Sequence, residues 1–286
     1  MSYLPYLPEP QPQYVSHRPR HLYPRLFLRL VIIITIGLAM PRAVLAQDLA
    51  VAAASDLQAA FPVVAAEFEK TTGHHVTVTF GSSGNFFTQI QNGAPFDLFF
   101  SADIDYAKRL ESSGLAEPGS FFAYAVGHIV VWTRKDSGID VKRGLAVLED
   151  PAVRRIAVAN PEHAPYGRAA VAALKQAGLY DRVQPKIVLG ENISQTAQFV
   201  QSGNAEVGII ALSLALAPKA REVGVYAEVP TGSYPPIEQA AVILKTSKNQ
   251  AIARDFVAFM KRPEIVRIMQ SFGFELPAAA AAARPK

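Results

Sequence analysis

The segment that decides the fold reads Val76-Thr-Val-Thr-Phe-Gly-Ser-Ser-Gly-Asn85. Its alternating β-branched residues predict a strand that ends in a Gly-Ser-Ser-Gly turn. The next residues, 85–92, predict a short helix that stops at Gly93, a residue typical of the position after a helix. The first N–H groups of a helix have no partner inside it, and the peptide dipoles make that end positive. With the hydroxyls of Ser82 and Ser83 beside them, the segment predicts either an anion site or an ordinary helix cap.

A second strand-to-helix junction lies upstream. Residues 48–54 alternate Leu, Val and Ala and predict a buried strand that ends at Ser55. Apolar residues then recur at helical spacing, at positions 57, 61, 64 and 68, until Gly73. Ser55 therefore occupies the same kind of position as Ser83. Because ligands bind at the carboxyl ends of strands in open α/β sheets, the two hydroxyls predict one shared ligand site.

The first 46 residues are expected to be a cleavable signal peptide. A basic region that includes Arg25 and Arg29 precedes an apolar run over residues 30–38, and Val44-Leu-Ala46 predicts cleavage after Ala46. The apolar run is shorter than the roughly 20 residues that cross a membrane comfortably, although retention as an N-terminal anchor stays open. No Cys follows the run, which excludes a lipid anchor through Cys. The leader predicts a periplasmic protein.

Composition narrows the function classes. The first 46 residues hold five of the 28 Lys and Arg and one of the 24 Asp and Glu, which leaves 23 residues of each sign. The basic pI of the whole chain therefore comes from the leader, and no nucleic-acid partner is expected. Zero Cys excludes disulfides, Cys nucleophiles and thiolate metal sites.

The remaining chain alternates predicted strands and helices, which indicates an α/β fold with mainly parallel sheets. A single apolar strand is predicted over residues 127–132. Turn-rich segments near residues 118–120 and 230–236 suggest two crossings between lobes, with a ligand cleft between the lobes. The expected division is a first lobe of residues 47–126 and 233–276, a second lobe of 127–232, and a frayed tail of 277–286.

Several stretches resemble one family, the periplasmic molybdate-binding proteins of ABC transporters. The matching stretches span nearly the whole mature chain, and they are Ala52-Ala-Ala-Ser-Asp-Leu57, Gly81-Ser-Ser-Gly84, Gly93-Ala-Pro-Phe-Asp-Leu-Phe-Phe-Ser-Ala-Asp103, Asn160-Pro-Glu-His-Ala-Pro-Tyr-Gly167, Gly190-Glu-Asn-Ile193 and Val207-Gly-Ile-Ile-Ala-Leu-Ser213. The third and fourth are quite specific to that family.

The resemblance implies a two-lobed periplasmic binding protein that closes over a tetrahedral oxyanion and delivers it to an ABC permease. It implies molybdate or tungstate as the ligand, no cofactor, no catalytic residue and no metal cation, and we expect a monomer. By the family pattern, the oxyanion is bound by the hydroxyls of Ser55 and Ser83 and by the backbone N–H groups of Tyr166 and Ile193.

Three further candidates lie beside these residues, namely Asp56, Gly84 and Asn192. A carboxylate aimed at a dianion would be repulsive, so Asp56 is expected to begin a helix and to point away. Molybdate is fully deprotonated at neutral pH and offers only acceptor oxygens, which suits a pocket made of neutral donors. Sulfate passes the same test, so only pocket size can exclude it.

One position departs from the family pattern. Many members have a Tyr whose hydroxyl completes the oxyanion shell where this chain has Ala211. Losing one donor to a charged ligand costs roughly 1.5–3 kcal/mol, about 10- to 150-fold in affinity. The hydroxyl of Tyr166 is a candidate to compensate.

Three other classes stay open. A binding protein for sulfate or an organic anion is the main alternative, and a pocket for carboxylates would need Arg or Lys, of which Arg168 is the nearest. An exported hydrolase would need a Gly-x-Ser-x-Gly elbow, which Gly81-Ser-Ser-Gly84 does not provide. A carboxylate metal cluster of Asp97, Asp103 and Asp105 is disfavoured, since Asp103 is expected to cap a helix. His163 is expected to support its loop.

Overall fold

The computed structural model describes residues 48–277. The predicted leader, its cleavage site after Ala46 and residues 278–286 of the predicted tail lie outside the described residues. Within residues 48–277, no helix combines the length and the apolar character needed to cross a membrane.

The described chain forms two five-stranded sheets. The first sheet has the order β2-β1-β3-β10-β4, and the second has the order β7-β6-β8-β5-β9. The strands of the first sheet are β1 (Leu49–Ala54), β2 (Val76–Gly81), β3 (Leu98–Ser101), β4 (Phe122–Gly127) and β10 (Ile237–Ile243). Those of the second are β5 (Ile129–Arg134), β6 (Ile156–Ala159), β7 (Ile187–Gly190), β8 (Val207–Ala211) and β9 (Gly224–Glu228).

Each sheet is mainly parallel, as predicted, because four of its five strands run in one direction and a single strand, β10 or β5, runs in the opposite direction. In the first sheet β1 pairs in parallel with β2 and β3, whereas β10 runs antiparallel to β3 and β4. In the second, β6 pairs in parallel with β7 and β8, whereas β5 runs antiparallel to β8 and β9. The two reversed strands, β5 and β10, are the strands that the chain enters directly after it passes from one sheet to the other.

Helices cover the sheets, as the strand-helix alternation predicts. The α-helices are α1 (Phe61–Thr72), α2 (Ser83–Gln91), α3 (Ile104–Ser112), α4 (Pro165–Gln176), α5 (Tyr180–Val183), α6 (Ile193–Gln201), α7 (Leu212–Ala215), α8 (Pro218–Val223), α9 (Gln250–Met260) and α10 (Pro263–Ser271). Short 3-10 segments occupy Ser55–Gln58, Lys135–Ser137, Val141–Glu149, Gln184–Lys186 and Thr231–Ser233. Gly73 and Gly93 follow α1 and α2 with φ of 75° and 86°, a left-handed conformation that glycine adopts without strain.

The strand predicted over residues 127–132 corresponds to β5, which begins at Ile129, whereas Gly127 ends β4, a strand that was not predicted from the sequence. β4 belongs to the first sheet and β5 to the second, and His128 lies between them. The carbonyl of His128 accepts a hydrogen bond from the Leu212 N–H at 2.9 Å. The chain returns to the first sheet between β9 and β10. Two short crossings therefore connect the sheets.

Large apolar side chains give each sheet its own packing. Against the first sheet, Phe61 meets Phe100 edge-on with ring centroids 4.8 Å apart, and Phe68 meets Phe256 at 5.0 Å. Such pairs add about 0.5–1.5 kcal/mol beyond the area that they bury. In the second sheet Trp132 is fully buried.

Candidate functional site

A small cavity lies where helices of both sheets meet. Its volume is about 10 Å³, far smaller than the roughly 300–1,000 Å³ of pockets for drug-sized ligands. All four predicted ligand residues line it, namely Ser55, Ser83, Tyr166 and Ile193. The structure thus brings together residues that lie up to 138 positions apart in the chain. A cavity of this size suits a small ion.

Three helix N-termini face this cavity. Ser83 and Ile193 are the first residues of α2 and α6, and Tyr166 follows Pro165, which begins α4 and has no N–H. None of these three N–H groups has a hydrogen-bond partner among the described residues. First-turn N–H groups and the aligned dipoles behind them attract anions. Neutral donors from both sheets therefore converge on one point.

The two serine hydroxyls keep their protons available. Ser83 Oγ accepts from the Ala102 N–H at 3.0 Å, and Ser55 Oγ accepts from the Ser194 N–H at 3.3 Å. Neither hydroxyl donates a hydrogen bond within residues 48–277. By contrast, Ser82 Oγ donates to the carbonyl of His163 at 2.5 Å. Ser55 and Ser83 therefore each have a donor left for a ligand, and Ser82 does not.

Asn192 and Gly84, two of the further candidates for ligand binding, form hydrogen bonds within the protein instead. Asn192 lines the cavity, but its Oδ1 caps α6 by accepting from the N–H groups of Ser194 at 3.1 Å and Gln195 at 3.0 Å. The N–H of Gly84 donates to the carbonyl of His163 at 3.0 Å across the two sheets. Asn192 thus positions the Ile193 N–H, and Gly84 joins α2 to the loop before α4.

Asp56 does not point away from the site. It lies in the first turn of a 3-10 helix, after Ser55, as expected for an N-terminal helix residue, but it is fully buried and lines the cavity. Its Oδ2 accepts from the Tyr166 hydroxyl at 2.9 Å and from Gln239 Nε2 at 2.7 Å. Its carbonyl accepts from the Ser213 hydroxyl at 2.7 Å. The Tyr166 hydroxyl is therefore engaged with Asp56, which corrects the expectation that it replaces the family Tyr at position 211.

Burial governs the ionisation of this network. Loss of water raises the pKa of Asp56 to about 7, and the hydrogen bonds from Gln239 and Tyr166 oppose that rise only in part. Burial, and then the charge of Asp56, raise the pKa values of Tyr166 and Tyr124 well above 10. Both tyrosines are therefore neutral donors at physiological pH.

Gln239 and Tyr124 complete the network, and sequence reasoning missed both. Tyr124 donates to Gln239 Oε1 at 2.7 Å, which orients the amide so that its Nε2 faces Asp56. The sequence does contain a signal for Gln239, which is a polar residue at the start of the otherwise apolar run Gln239-Ala-Ala-Val-Ile-Leu244. The structure buries this side chain fully. A buried amide in a strand requires partners.

Polar pairs connect the two sheets around the cavity. His163 Nδ1 lies 2.9 Å from Ser82 Oγ, so His163 supports its loop as predicted. Arg168 pairs with Asp103, which also caps α3 as predicted by accepting from the Asp105 N–H at 2.9 Å. Arg168 does not line the small cavity. This basic residue is therefore engaged elsewhere.

Two other sequence features have clear positions. Ala211 is fully buried at the end of β8 and does not line the cavity. Residues 48–277 contain no group of three or more His, Asp or Glu side chains arranged to bind a metal ion.

Comparison with known proteins agrees with this geometry. The sequence model of the family described as bacterial extracellular solute-binding protein matches residues 49–275. The chain belongs to this family. It is 40% identical over 241 residues to the molybdate-binding protein ModA of Rhodobacter capsulatus, covering 84% of this chain and 92% of that protein. It is also 40% identical over 248 residues to ModA of Azotobacter vinelandii, covering 87% and 97%.

A solved structure supports the same assignment. The periplasmic molybdate-binding protein of Azotobacter vinelandii superimposes with a TM-score of 0.76 at 38% identity, over 80% of this chain and 99% of that one. The two-sheet architecture with helices on its faces is thus the periplasmic binding protein fold predicted from the sequence.

Proposed function

We propose that this chain is a periplasmic solute-binding protein that captures molybdate, and tungstate as well, and delivers it to an ABC permease. The observation that carries the proposal is the convergence of three unpartnered helix N-terminal N–H groups and two serine hydroxyls on one small cavity. These donors belong to Ser55, Ser83, Tyr166 and Ile193.

The donor chemistry matches a fully deprotonated oxyanion. Four oxygens of molybdate accept hydrogen bonds and donate none, and the cavity offers neutral donors from two sheets. Hydrogen bonds to a charged group are each worth about 1.5–3 kcal/mol. Helix dipoles add attraction for negative charge without a Lys or Arg lining the cavity. The named relatives bind molybdate, which favours this ion over other oxyanions.

Ligand capture closes two lobes by a hinge motion in this proposal. The lobes are residues 47–126 with 233–276, and residues 127–232, and the hinge lies at the two crossings between the sheets. Donors from both lobes are needed for the full shell, so the ion favours the closed form. The contacts of Gly84 and Ser82 with His163 then belong to the closed form.

The remaining parts of the proposal come from the sequence. The protein acts in the periplasm as a monomer, after removal of residues 1–46, and it needs no cofactor. It binds its ligand without transforming it, so incubation with molybdate yields stoichiometric uptake and no product.

Calorimetric titration of residues 47–286 tests the proposal. Molybdate, tungstate, sulfate and phosphate are titrated in parallel at pH 7. One-to-one binding of the first two, with no binding of the others, supports it. Binding of sulfate or a carboxylate without molybdate retains the fold and contradicts the specificity.

Matched variants connect the binding to this cavity. Ser82→Ala is the control for Ser83→Ala, because both hydroxyls are buried in the same turn and only that of Ser83 has a free donor. Ser83→Ala should weaken molybdate binding more than Ser82→Ala. The reverse order would place the anion elsewhere.

A further inference from the structure

A buried carboxyl group lies at the wall of the proposed anion cavity. Asp56 is fully buried, and an ionised carboxylate there would repel a dianion in the same cavity. Its surroundings supply no opposite charge to offset this repulsion. The side chains that contact its carboxyl group are those of Tyr166 and Gln239, both uncharged.

The charged groups on neighbouring elements are directed elsewhere. Helices α6 and α7 and strands β1, β2 and β4 carry no charged residue within their bounds. On α1, Glu67 and Lys70 pair with each other at the surface, and Glu69 pairs with His75. On α4, Arg168 pairs with Asp103, and Lys175 lies over the ring of Tyr180. On β10, the charged residue Glu238 is exposed to solvent.

The two carboxyl oxygens of Asp56 differ in their partners. Oδ2 accepts from both the Tyr166 hydroxyl and Gln239 Nε2, whereas Oδ1 is buried and has no hydrogen-bond partner among the described residues. A buried acceptor without a partner is costly. A proton on Oδ1 removes the charge and turns this oxygen into a donor. An oxyanion in the cavity offers the acceptor that such a donor needs.

We propose that Asp56 takes up one proton from solvent when the oxyanion binds, and that its Oδ1–H then donates to an oxygen of the anion. The anion itself stays deprotonated, so one proton leaves the solution for each ion captured. The inference rests on the proposed function and deepens it, because it places Asp56 in direct contact with the bound oxyanion.

The ionisation behaviour of Asp56 supports this coupling. Burial raises its pKa to about 7 against the opposing hydrogen bonds from Gln239, Tyr166 and the backbone of Asp56 and Leu57, and a neighbouring dianion raises the pKa further. Near pH 8 the carboxyl is therefore ionised in the ligand-free protein and protonated in the complex. Tyr166 and Tyr124 stay neutral across this range, because burial raises their pKa values well above 10.

Calorimetry at several pH values tests the inference. Molybdate is titrated into residues 47–286 between pH 6.5 and 8.5, in pairs of buffers with different ionisation enthalpies. We expect uptake of close to one proton per ion at pH 8.5 and less at pH 6.5. Linkage then lowers the affinity by up to about tenfold for each pH unit above 7. The variant Asp56→Asn should bind without proton uptake and with pH-independent affinity.

A control variant and three possible results separate this inference from the proposed function. Asp105→Asn alters an exposed carboxylate that pairs with Lys108, and it should retain the wild-type proton uptake. Tight molybdate binding without proton uptake overturns this inference and leaves the proposed function standing. Proton uptake that persists in Asp56→Asn assigns the proton to another group and also overturns the inference. Absence of molybdate binding at every pH, or binding of phosphate in its place, contradicts the proposed function itself.

Discussion

Replacing Gly84 by Ala should weaken anion binding without weakening the fold. A Cβ at Gly84 would lie 2.8 Å from the carbonyl oxygen of His163 and 2.9 Å from its Cα and Cβ. Ordinary contacts of a Cβ lie at 3.4–4 Å, so the His163 backbone would have to retreat by about 0.5 Å or more. Gly84 lies on α2, in the first of the two proposed lobes, and His163 lies on the loop before α4, in the second. In the proposed hinge motion the clash therefore arises only in the closed form.

The cost can be worked out from the contacts that the retreat disturbs. The carbonyl of His163 accepts from the Gly84 N–H at 3.0 Å and from Ser82 Oγ at 2.5 Å. Two hydrogen bonds at about 0.5–1.5 kcal/mol each give a loss of about 1–3 kcal/mol. Molybdate affinity should therefore fall about 5- to 150-fold. Ala in place of Gly inside α2 should at the same time stabilise the ligand-free protein by up to about 1 kcal/mol.

Two assays on the same samples check the predicted loss of affinity and the predicted gain in stability. Calorimetry gives the affinity for molybdate, and urea denaturation without ligand gives the free energy of unfolding. Gln89→Ala is the control, because its exposed side chain lies on the same helix, α2, outside the cavity and outside both crossings. If Gly84→Ala binds molybdate as tightly as Gln89→Ala does, the predicted clash with His163 does not limit binding.

Three further variants address the donors, the buried acid and the cross-sheet ion pair. Ser55→Ala and Ser83→Ala should each lower molybdate affinity by about 10- to 150-fold in calorimetry, the loss of one hydrogen bond to a charged group. Because the folded pKa of Asp56 is raised to about 7, wild-type stability falls as pH rises from about 4 to 7. Asp56→Asn should therefore be more stable than wild type at pH 8, by up to about 4 kcal/mol in urea denaturation, and should lose this advantage near pH 4. Arg168→Gln, which breaks the partly exposed pair with Asp103, should cost at most about 1 kcal/mol of binding free energy, a loss that shrinks at high salt.

Each of these expectations has a contradicting result. Unchanged affinity in both serine variants would remove the hydroxyls from the anion shell. A stability difference between Asp56→Asn and wild type that does not vary with pH would show that Asp56 is not buried as an acid. A loss of more than tenfold in Arg168→Gln, equal at low and high salt, would indicate that Arg168 contacts the anion directly.

The sequence predicts well whatever depends on local signals. Ser55 and Ser83 follow predicted strands and do begin helical segments, and Asn192 marks the start of α6 by its capping side chain. The position of Asp103 as a helix cap is confirmed for the same reason. Such features depend on a few neighbouring residues, so their spacing is visible in the chain.

Features that depend on distant residues were harder to predict. The break at His128 lies inside an apolar run, and nothing local separates the strand of one sheet from that of the other. Asp56 was expected to point away because a carboxylate repels an anion. Its actual orientation depends on Tyr166 and Gln239, which lie 110 and 183 positions further along the chain. Burial by these partners changes the charge on which the expectation rested.

The one reversed strand in each mainly parallel sheet illustrates the same limit. Strand-helix alternation indicates parallel pairing wherever a helix connects two neighbouring strands, as between β1 and β2. β10 joins the first sheet from the end of the chain and pairs antiparallel with β3 and β4. The chain forms the whole second sheet before β10 pairs with the first sheet. Residues near β10 in the sequence therefore do not indicate the direction in which it runs.

The position of the bound ion tests the central claim most directly. A crystal structure of residues 47–286 grown with tungstate, with data collected at the tungsten absorption edge, locates the metal by its anomalous signal. We predict one strong peak in the small cavity. The oxygens around it should lie within hydrogen-bonding distance of the hydroxyls of Ser55 and Ser83 and of the N–H groups of Tyr166 and Ile193. A peak beside Arg168, or anywhere outside that cavity, would contradict this prediction.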